Sequence, residues 1–340
     1  MKKFFKWEFW PFWFFYIPIY FYWFWLSLRA RSFVFFSAAN PVMNLGGFAA
    51  YSKYNVLEKI PKRFLPKTLF IPTYTPYSQV EQQLTTAGID FPLIIKPDVG
   101  ERGFGVEKIT TATALQAHLQ QYQHLALIIQ EYVDFPLELG VMYYRLPDEP
   151  SGQISSVVEK EFLQVTGDGD STLAQLFRQN KRTNYHFDML ATQYANELQD
   201  VLPAGAQKDL VSIGNHSRGT TFLNANHLIT PQLIDVFDEI SRSVTGYYFG
   251  RYDLRVSHLD DLYAGRNIKV LELNGANSEP AHIYDPQMPL WQAYKDLFKH
   301  WKALYQVSVQ NHRKGVAYAP LGETVRKIRR YFKERRVRRD

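Results

Sequence analysis

Gly250-Arg251-Tyr252-Asp253-Leu254-Arg255-Val256 and Val270-Leu271-Glu272-Leu273-Asn274-Gly275 are two short runs in which polar and apolar residues alternate. Strict alternation marks a strand with one polar and one apolar face. Between them, Asp261-Leu-Tyr-Ala-Gly-Arg-Asn267 carries turn-forming residues, so the runs are expected to pair as an antiparallel hairpin. A turn centred near Leu262 sets Asp253 opposite Glu272 and Arg251 opposite Asn274. Two carboxylates, an amide oxygen and the guanidiniums of Arg251 and Arg255 then share one sheet face. Hard oxygen donors of this kind suit Mg²⁺, which is commonly held by one or two carboxylates plus the phosphates of a nucleotide. A surface hairpin with ordinary ion pairs is the alternative these residues leave open.

A second segment, Phe91-Pro-Leu-Ile-Ile-Lys96-Pro-Asp-Val-Gly100-Glu-Arg-Gly103-Phe-Gly105-Val, runs from an apolar strand through a lysine into a loop with three glycines. Glycine lets backbone N–H groups come close to phosphate oxygens, and the lysine adds a point charge. Taken alone, such a loop also fits a tight turn between strands. The next strand, Leu127-Ile-Ile-Gln-Glu131-Tyr-Val133, leads shortly to Glu138-Leu-Gly-Val.

In their order along the chain, from about Tyr51 to Pro286, these segments resemble the ATP-grasp superfamily, in particular its carboxylate-amine ligases of the D-alanine-D-alanine ligase and cyanophycin synthetase type. The resemblance implies an α/β (α+β) ATP-grasp fold, two subdomains with ATP between antiparallel sheets. It casts Lys53 and Lys96 as nucleotide lysines, and Gly100, Gly103 and Gly105 as the lid over the phosphates. The backbone of Glu131 to Val133 would read adenine, and Glu138 would bind ribose. Asp253, Glu272 and Asn274 match the magnesium ligands, and Arg251 matches an arginine facing the transferring phosphate. Arg255 and Arg218 are candidates for holding the acceptor acid, since a planar guanidinium fits a carboxylate. Lys160 is a weaker phosphate candidate, and His216 fits a histidine satisfied within a turn better than a base. The implied cofactors are ATP and Mg²⁺, with Mn²⁺ as a substitute. The implied reaction joins a carboxylate to an amine through an acyl phosphate, and the alternatives are a kinase-like phosphotransferase or a non-catalytic nucleotide-binding tether. The chain departs from the pattern in having barely fifty residues before Lys53, and in carrying Asn274-Gly-Ala-Asn-Ser-Glu-Pro280 where the family has Asn-Pro-Gly.

The two ends differ from the middle. Trp7, Trp10, Trp13, Trp23 and Trp25 are five of the seven tryptophans, and Phe9 to Leu28 holds no charge. About 20 uncharged, largely apolar residues are enough to cross a bilayer as a helix. Trp and Tyr, however, favour the headgroup boundary, and Pro11 and Pro18 are expected to interrupt a helix. Lys2, Lys3 and Lys6 before the run and Arg29 and Arg31 after it fit a segment that enters one leaflet and returns. A cleaved secretory signal and an interior helix are the competing readings. From Arg326 to Asp340 nine Lys or Arg face two acids, a charge of +7, so the overall +6 leaves the other 325 residues near −1. That tail reads as a basic amphipathic segment suited to anionic lipid more than to nucleic acid, or as a solvated tail.

The expected organisation is an aromatic membrane-associating segment (1–30), a short lead-in (31–66), a small subdomain (67–133), a large subdomain with the metal site (134–312) and a basic tail (313–340). Helical periodicity is expected at Ala112 to Tyr122, Leu173 to Asn180, Pro231 to Thr245 and Pro289 to Tyr305. No cysteine is present, which excludes disulfides and thiolate chemistry. The expected partners are small-molecule or lipid-linked carboxylate and amine substrates and a membrane surface, at its cytoplasmic face. Neither the particular acid and amine nor the oligomeric state follows from the residues.

Overall fold

A computed structural model describes residues 7, 10–100, 103–211, 214 and 219–337, with side chains as far as Tyr331. The chain enters through two short helices, α1 (Phe12–Phe15) and α2 (Ile17–Ala30), and an irregular lead-in that ends in α3 (Lys53–Leu57). A four-stranded antiparallel sheet follows, built from β1 (Thr68–Ile71), β2 (Leu93–Pro97), β3 (Glu107–Ile109) and β4 (Leu127–Glu131) in the order β1-β4-β2-β3. Helices α4 (Tyr77–Ala87) and α5 (Ala112–Gln121) cover one face, burying Val80, Leu84, Leu115 and Leu119 against Leu93, Ile95 and Ile129.

The second sheet has five antiparallel strands, β5 (Leu137–Tyr144), β6 (Gln153–Glu161), β9 (Thr221–Asn224), β10 (Phe249–Val256) and β11 (Ile268–Leu273), in the order β11-β10-β5-β6-β9. Between β6 and β9 a ribbon of β7 (Gln164–Thr166) and β8 (Gln207–Asp209) carries α6 (Leu173–Gln179), α7 (Lys181–Tyr185) and α8 (Phe187–Gln193) around a core of its own. The apolar face of the large sheet packs on α9 (Pro231–Ser243), where Leu233, Phe237 and Ile240 meet Tyr252, Leu254 and Val256. Each fully buried side chain of this kind contributes about 1.5–3 kcal/mol. Because side chains alternate along a strand, burying Tyr252, Leu254 and Val256 leaves Arg251, Asp253 and Arg255 on the opposite face. That face closes one side of a cleft, and the four-stranded sheet closes the other.

Asp253 pairs with Glu272 across β10 and β11. Arg251 and Asn274 exchange backbone hydrogen bonds, N–H to O distances being 3.2 and 2.9 Å. The expected register therefore holds, but the connection is not a tight turn. A five-residue helix, α10 (Leu259–Tyr263), sits within it, because Leu262 is driven into the core beneath α9. The small sheet also carries the unexpected helix α4, whose buried Val80 and Leu84 stand one turn apart in a Gln- and Thr-rich stretch with weak amphipathic contrast. Beyond the expected Tyr305, α11 (Leu290–Arg313) continues because Val307, Ser308 and Asn311 are buried as well. The basic end forms α12 (Leu321–Val337).

Pro18 lies in the first turn of α2 and Pro11 immediately precedes α1. The missing proline N–H costs nothing there, so both residues start helices instead of interrupting one. The uncharged run is thereby split, and no helix among the described residues is long and apolar enough to cross a membrane. Its inner side packs on α11, with Phe15 stacked on Tyr294 at 5.2 Å and Tyr22 edge-on to Phe298 at 4.9 Å. Phe15, Tyr16, Ile19 and Leu26 are buried, whereas Trp13, Phe21, Phe24 and Leu28 are exposed.

The lead-in is fixed to the large sheet by Asn40. Its amide donates to the carbonyls of Gly46 (2.9 Å) and Phe249 (2.7 Å), and its oxygen accepts from the N–H groups of Tyr248 (2.8 Å) and Phe249 (2.9 Å). A neighbouring approach has room only for glycine, since a Cβ on Gly47 would lie 2.6 Å from the Gly275 Cα. Asn40→Ala strands four buried backbone groups, so it is expected to cost about 3 kcal/mol of unfolding free energy, read as a lowered urea midpoint at unchanged slope.

Candidate functional site

Between the two sheets lies a cavity of about 720 Å³ lined by Lys53, Lys96, Gly100, Gly103, Glu131, Val133, Glu138, Lys160, Arg251, Asp253, Arg255, Glu272 and Asn274. Pockets for small ligands typically enclose ~300–1,000 Å³. Apart from Gly105 and Arg218, every residue expected at a site faces this one space. Gly105 packs instead against Pro97, where a Cβ would come within 2.9 Å of the ring, and its φ of +62° favours glycine. Arg218 and His216 lie outside the described residues, as do Glu101 and Arg102 of the glycine loop.

A row of alternating charges crosses the sheet face. Arg255 Nε donates to Glu138 Oε2 at 2.9 Å, and Lys160 Nζ lies 3.2 Å from Glu138 Oε1 and 3.1 Å from Asp253 Oδ1. Arg251 closes the row with a bidentate pair to Asp253 at 3.1 and 3.0 Å. Burial alone would push the Asp253 carboxyl up and strip the proton from Lys160. Arg251 and Lys160 nevertheless hold Asp253 down to about 2, and Asp253 and Glu138 hold the Lys160 pKa above its ordinary value. Gly140, beside Asp253 on β5, leaves room for this packing, since a Cβ there would lie 2.8 Å from Val158 and 3.3 Å from both Arg251 and Asp253.

Lys53 and Lys96 enter from the opposite wall. Lys53, at the start of α3, donates to the Gly100 carbonyl and lies 3.6 Å from Glu272 Oε1. Lys96 Nζ donates to Gln130 Oε1 at 2.6 Å and to the Leu271 carbonyl at 2.9 Å, which ties the two sheets together. Burial lowers its pKa to about 8. Asp98 receives Ser52 Oγ and the Tyr54 N–H, anchoring the end of β2 to the start of α3.

The donor set suits a divalent cation held by oxygen. Asp253 Oδ2 accepts from Asn274 Nδ2 at 2.9 Å, and Asn274 Oδ1 accepts from the Tyr51 hydroxyl at 3.1 Å. Two carboxylates facing each other across a strand pair match the few protein ligands Mg²⁺ takes, and Asn274, which here turns its amide nitrogen to Asp253, would add its oxygen to them by turning the amide over. Glu138 spends one oxygen on each cation, yet a carboxylate offers about four lone-pair positions, so it can accept from a further donor. Arg255 differs from expectation. Its NH1 donates to the Val133 carbonyl at 2.8 Å and its Nε to Glu138, which holds it at the Glu138 end of the charge row, away from Arg251. Glu131, at the end of β4, accepts the Lys67 N–H on its side chain at 3.0 Å and also lines the cavity.

Lys160 and Tyr51 were the residues least visible in the sequence. Lys160 joins the site through the pairing of β5 with β6, and Tyr51 through the lead-in, and neither relation leaves a local signature.

If the cavity holds Mg²⁺ and ATP as the sequence leads one to expect, Asp253→Asn and Glu272→Gln should each lower ATP turnover at least about a hundredfold, by removing a carboxylate charge from the metal. The two are separable by stability. Asp253→Asn also uncovers buried Lys160 and Arg251 and should cost about 3 kcal/mol, whereas half-exposed Glu272→Gln should stay within about 0.5 kcal/mol, both read by denaturant titration. Lys96 sets a pH dependence with a definite sign. Its charge is present below about 8 and lost above it, so ATP affinity should fall as pH rises from 7 to 9, and Lys96→Met should remove that slope.

No family model matches the sequence, and no curated protein matches it. Solved structures with a similar arrangement include a bifunctional glutathione synthetase from Pasteurella multocida, 14% identical over 73% of this chain and 36% of that one, with a TM-score of 0.37. A D-Ala:D-Ser ligase from Enterococcus faecalis is 15% identical over 76% and 60% of the two chains, with a TM-score of 0.41. The D-alanine-D-alanine ligase from Coxiella burnetii is 12% identical over 86% and 64%, with a TM-score of 0.43. The chain thus spans about a third of the first protein and about three-fifths of the second. At such identities and scores these likenesses carry no weight for activity or substrate.

Proposed function

We propose that the chain is an ATP- and Mg²⁺-dependent carboxylate-amine ligase of ATP-grasp type. The observation that carries this reading is the single cavity into which three cations, Lys53, Lys96 and Arg251, and the oxygen set Asp253, Glu272 and Asn274 all project. The substrate carboxylate attacks the γ-phosphorus of ATP, ADP departs and an acyl phosphate forms. The amine then attacks the acyl carbon, the C–O bond to phosphate breaks, and amide and phosphate are released. Little covalent chemistry falls to the protein, so its contribution is positioning and charge stabilisation. Lys53 and Lys96 neutralise phosphate from one wall, and Arg251 does so from the other. Asp253, Glu272 and Asn274 would hold Mg²⁺, which when bound screens the charge of the phosphates. Glu138 and the backbone of Glu131 to Val133 orient the nucleoside. ATP turnover with a panel of carboxylates and amines tests the reaction: ADP and phosphate released one to one with an amide support it, and ADP without free phosphate would falsify it in favour of a kinase.

The same proposal places the enzyme on the cytoplasmic face of a membrane, acting on an envelope or lipid-linked substrate. At about 1.5 Å per residue, the fourteen residues of α2 reach ~21 Å, short of the ~30 Å hydrocarbon layer. The exposed side supports an in-plane seating, with Trp13 64% and Phe21 75% exposed in a stretch free of charge and Arg29 and Arg31 at its end. Basic α12 would add attraction of about 1 kcal/mol per residue near an anionic surface, which salt weakens.

Replacing Trp13, Phe21 and Phe24 by Ser should therefore weaken binding to phosphatidylglycerol vesicles more than about a hundredfold, even though full burial would be worth more. Because these side chains are exposed, the thermal midpoint should hardly move. Removing residues 321–340 should leave binding in place, modestly weakened at low salt and less sensitive to salt than in the full chain. Cosedimentation at low and high salt distinguishes these outcomes, and release by the tail deletion alone would rule out the aromatic anchor.

A further inference from the structure

Lys53 and Lys96 are carried by different cores. Lys96 lies on β2, whose Leu93 and Ile95 pack with α4 and α5 in the core of the small sheet. Lys53 opens α3, whose Val56 and Leu57 are buried in the other core, with Tyr252 and Leu254 of the large sheet. Neither core by itself fixes the distance between the two ammonium groups. Asp98, two residues after Lys96, bridges the gap. Its Oδ1 accepts from the Ser52 hydroxyl at 3.0 Å and from the Tyr54 N–H at 2.8 Å, and its carbonyl accepts from the Lys53 N–H at 3.2 Å. Lys53 and the residues on both sides of it are thus bonded to this one residue.

Asp98 is 4% exposed, and a carboxylate so placed is costly unless it is well bonded. Among the described residues, both of its side-chain bonds run to the start of α3. Ser52 Oγ also accepts from the Asn55 N–H at 3.1 Å, the N-cap bond of α3, so the hydroxyl that donates to Asp98 has a fixed direction. The carboxylate therefore orients α3 as a body, and the main chain of Lys53 with it. Burial works against the charge of Lys96, and Asp98 is one of the acids that support it. Asp98 does not line the cavity, so any effect it has on a ligand passes through the lysines and not through contact.

We propose that Asp98 is a positioning residue that sets the spacing of Lys53 and Lys96 across the two cores, and through Lys53 the affinity of the cleft for the phosphates of ATP. The proposal rests on the nucleotide reading above. Asp98→Ala isolates the carboxylate, because the bond from the Lys53 N–H to the carbonyl of residue 98 and the burial of Val56 and Leu57 are both retained. Asp98→Asn keeps the Oδ1 acceptor and removes only the charge.

Calorimetric titration of the full chain with a non-hydrolysable ATP analogue and Mg²⁺ tests the role, at about pH 6.5, below the Lys96 pKa of about 8, so that the charge of Lys96 stays out of the comparison. Asp98→Ala should bind about tenfold or more weakly than wild type, the cost of misplacing one charged hydrogen bond to phosphate. Asp98→Asn should recover affinity to within about threefold of wild type, since the acceptor remains. In a Lys53→Met background Asp98→Ala should add less than about twofold, because residues that act as a unit are not additive. A loss that persists undiminished in Lys53→Met overturns the role, as does wild-type affinity in Asp98→Ala. Asp98→Asn binding as weakly as Asp98→Ala also overturns it, since charge and not position would then decide. Should Asp98→Ala fail to fold by circular dichroism, Ser52→Ala, which removes one of the two carboxylate bonds, takes its place in the cycle and should lose at least about threefold. Failure of wild type to bind the analogue is a different result and removes the nucleotide reading itself.

Discussion

The alternation Arg255, Glu138, Lys160, Asp253, Arg251 is the constraint on which the site depends. Glu138, Lys160, Asp253 and Arg255 are each no more than 9% exposed, and an isolated charge so placed costs several kcal/mol. The charges persist because each acid lies between two bases, and the pairing of three adjacent strands, β10, β5 and β6, sets that spacing. The energy of the row is spent on orientation more than on stability. It holds the Asp253 carboxylate ionised and aims Arg251 into the cavity with no ligand needed to order them, the preorganisation that the proposed charge stabilisation would use. Gly140 and Gly214 are part of the same constraint, since a Cβ on Gly214 would lie 2.2 Å from Glu138 Oε1.

The aromatic N-terminus serves two environments. One side covers α11 and walls the far end of the cavity, through Trp7, Trp10 and Phe15, and the other faces outward with Trp13 and Phe21. On the proposal above, a segment placed in this way would link a lipid surface to the cleft without spanning a bilayer. The lead-in holds the other end of the cleft, beside Asp253 and Asn274. Asn40 grips Phe249 at the start of β10, and the Gly46 carbonyl accepts from the Ala276 N–H at 3.0 Å, so the loop carrying Asn277 and Glu279 is positioned from both sides.

Much of the site was legible because strand alternation is a short-range signal. The facing of Asp253 and Glu272, the lysine before the glycine loop, and the polar face of β10 all follow from residues close together in the chain. The remainder depends on relations with no local trace. Lys160 becomes central only through its pairing with β5, and Arg255 is drawn to Glu138 and Val133 by a partner more than a hundred residues away. Helix α4 hides in a Gln-rich stretch, and α10 replaces a turn because Leu262 has a core to enter. The aromatic run reads as a membrane element in sequence because hydropathy does not distinguish a lipid-facing ring from one packed on α11.

The claim that the two walls of the cleft form one metal–nucleotide site is tested most directly by diffraction from crystals grown with Mn²⁺ and a non-hydrolysable ATP analogue. Anomalous scattering locates the metal independently of the nucleotide. A manganese peak bonded to carboxylate oxygens of both Asp253 and Glu272, with the analogue's phosphates between it and Lys53 and Lys96, is the predicted result. A nucleotide bound outside this cleft, or bound within it with manganese on neither carboxylate, would contradict the account.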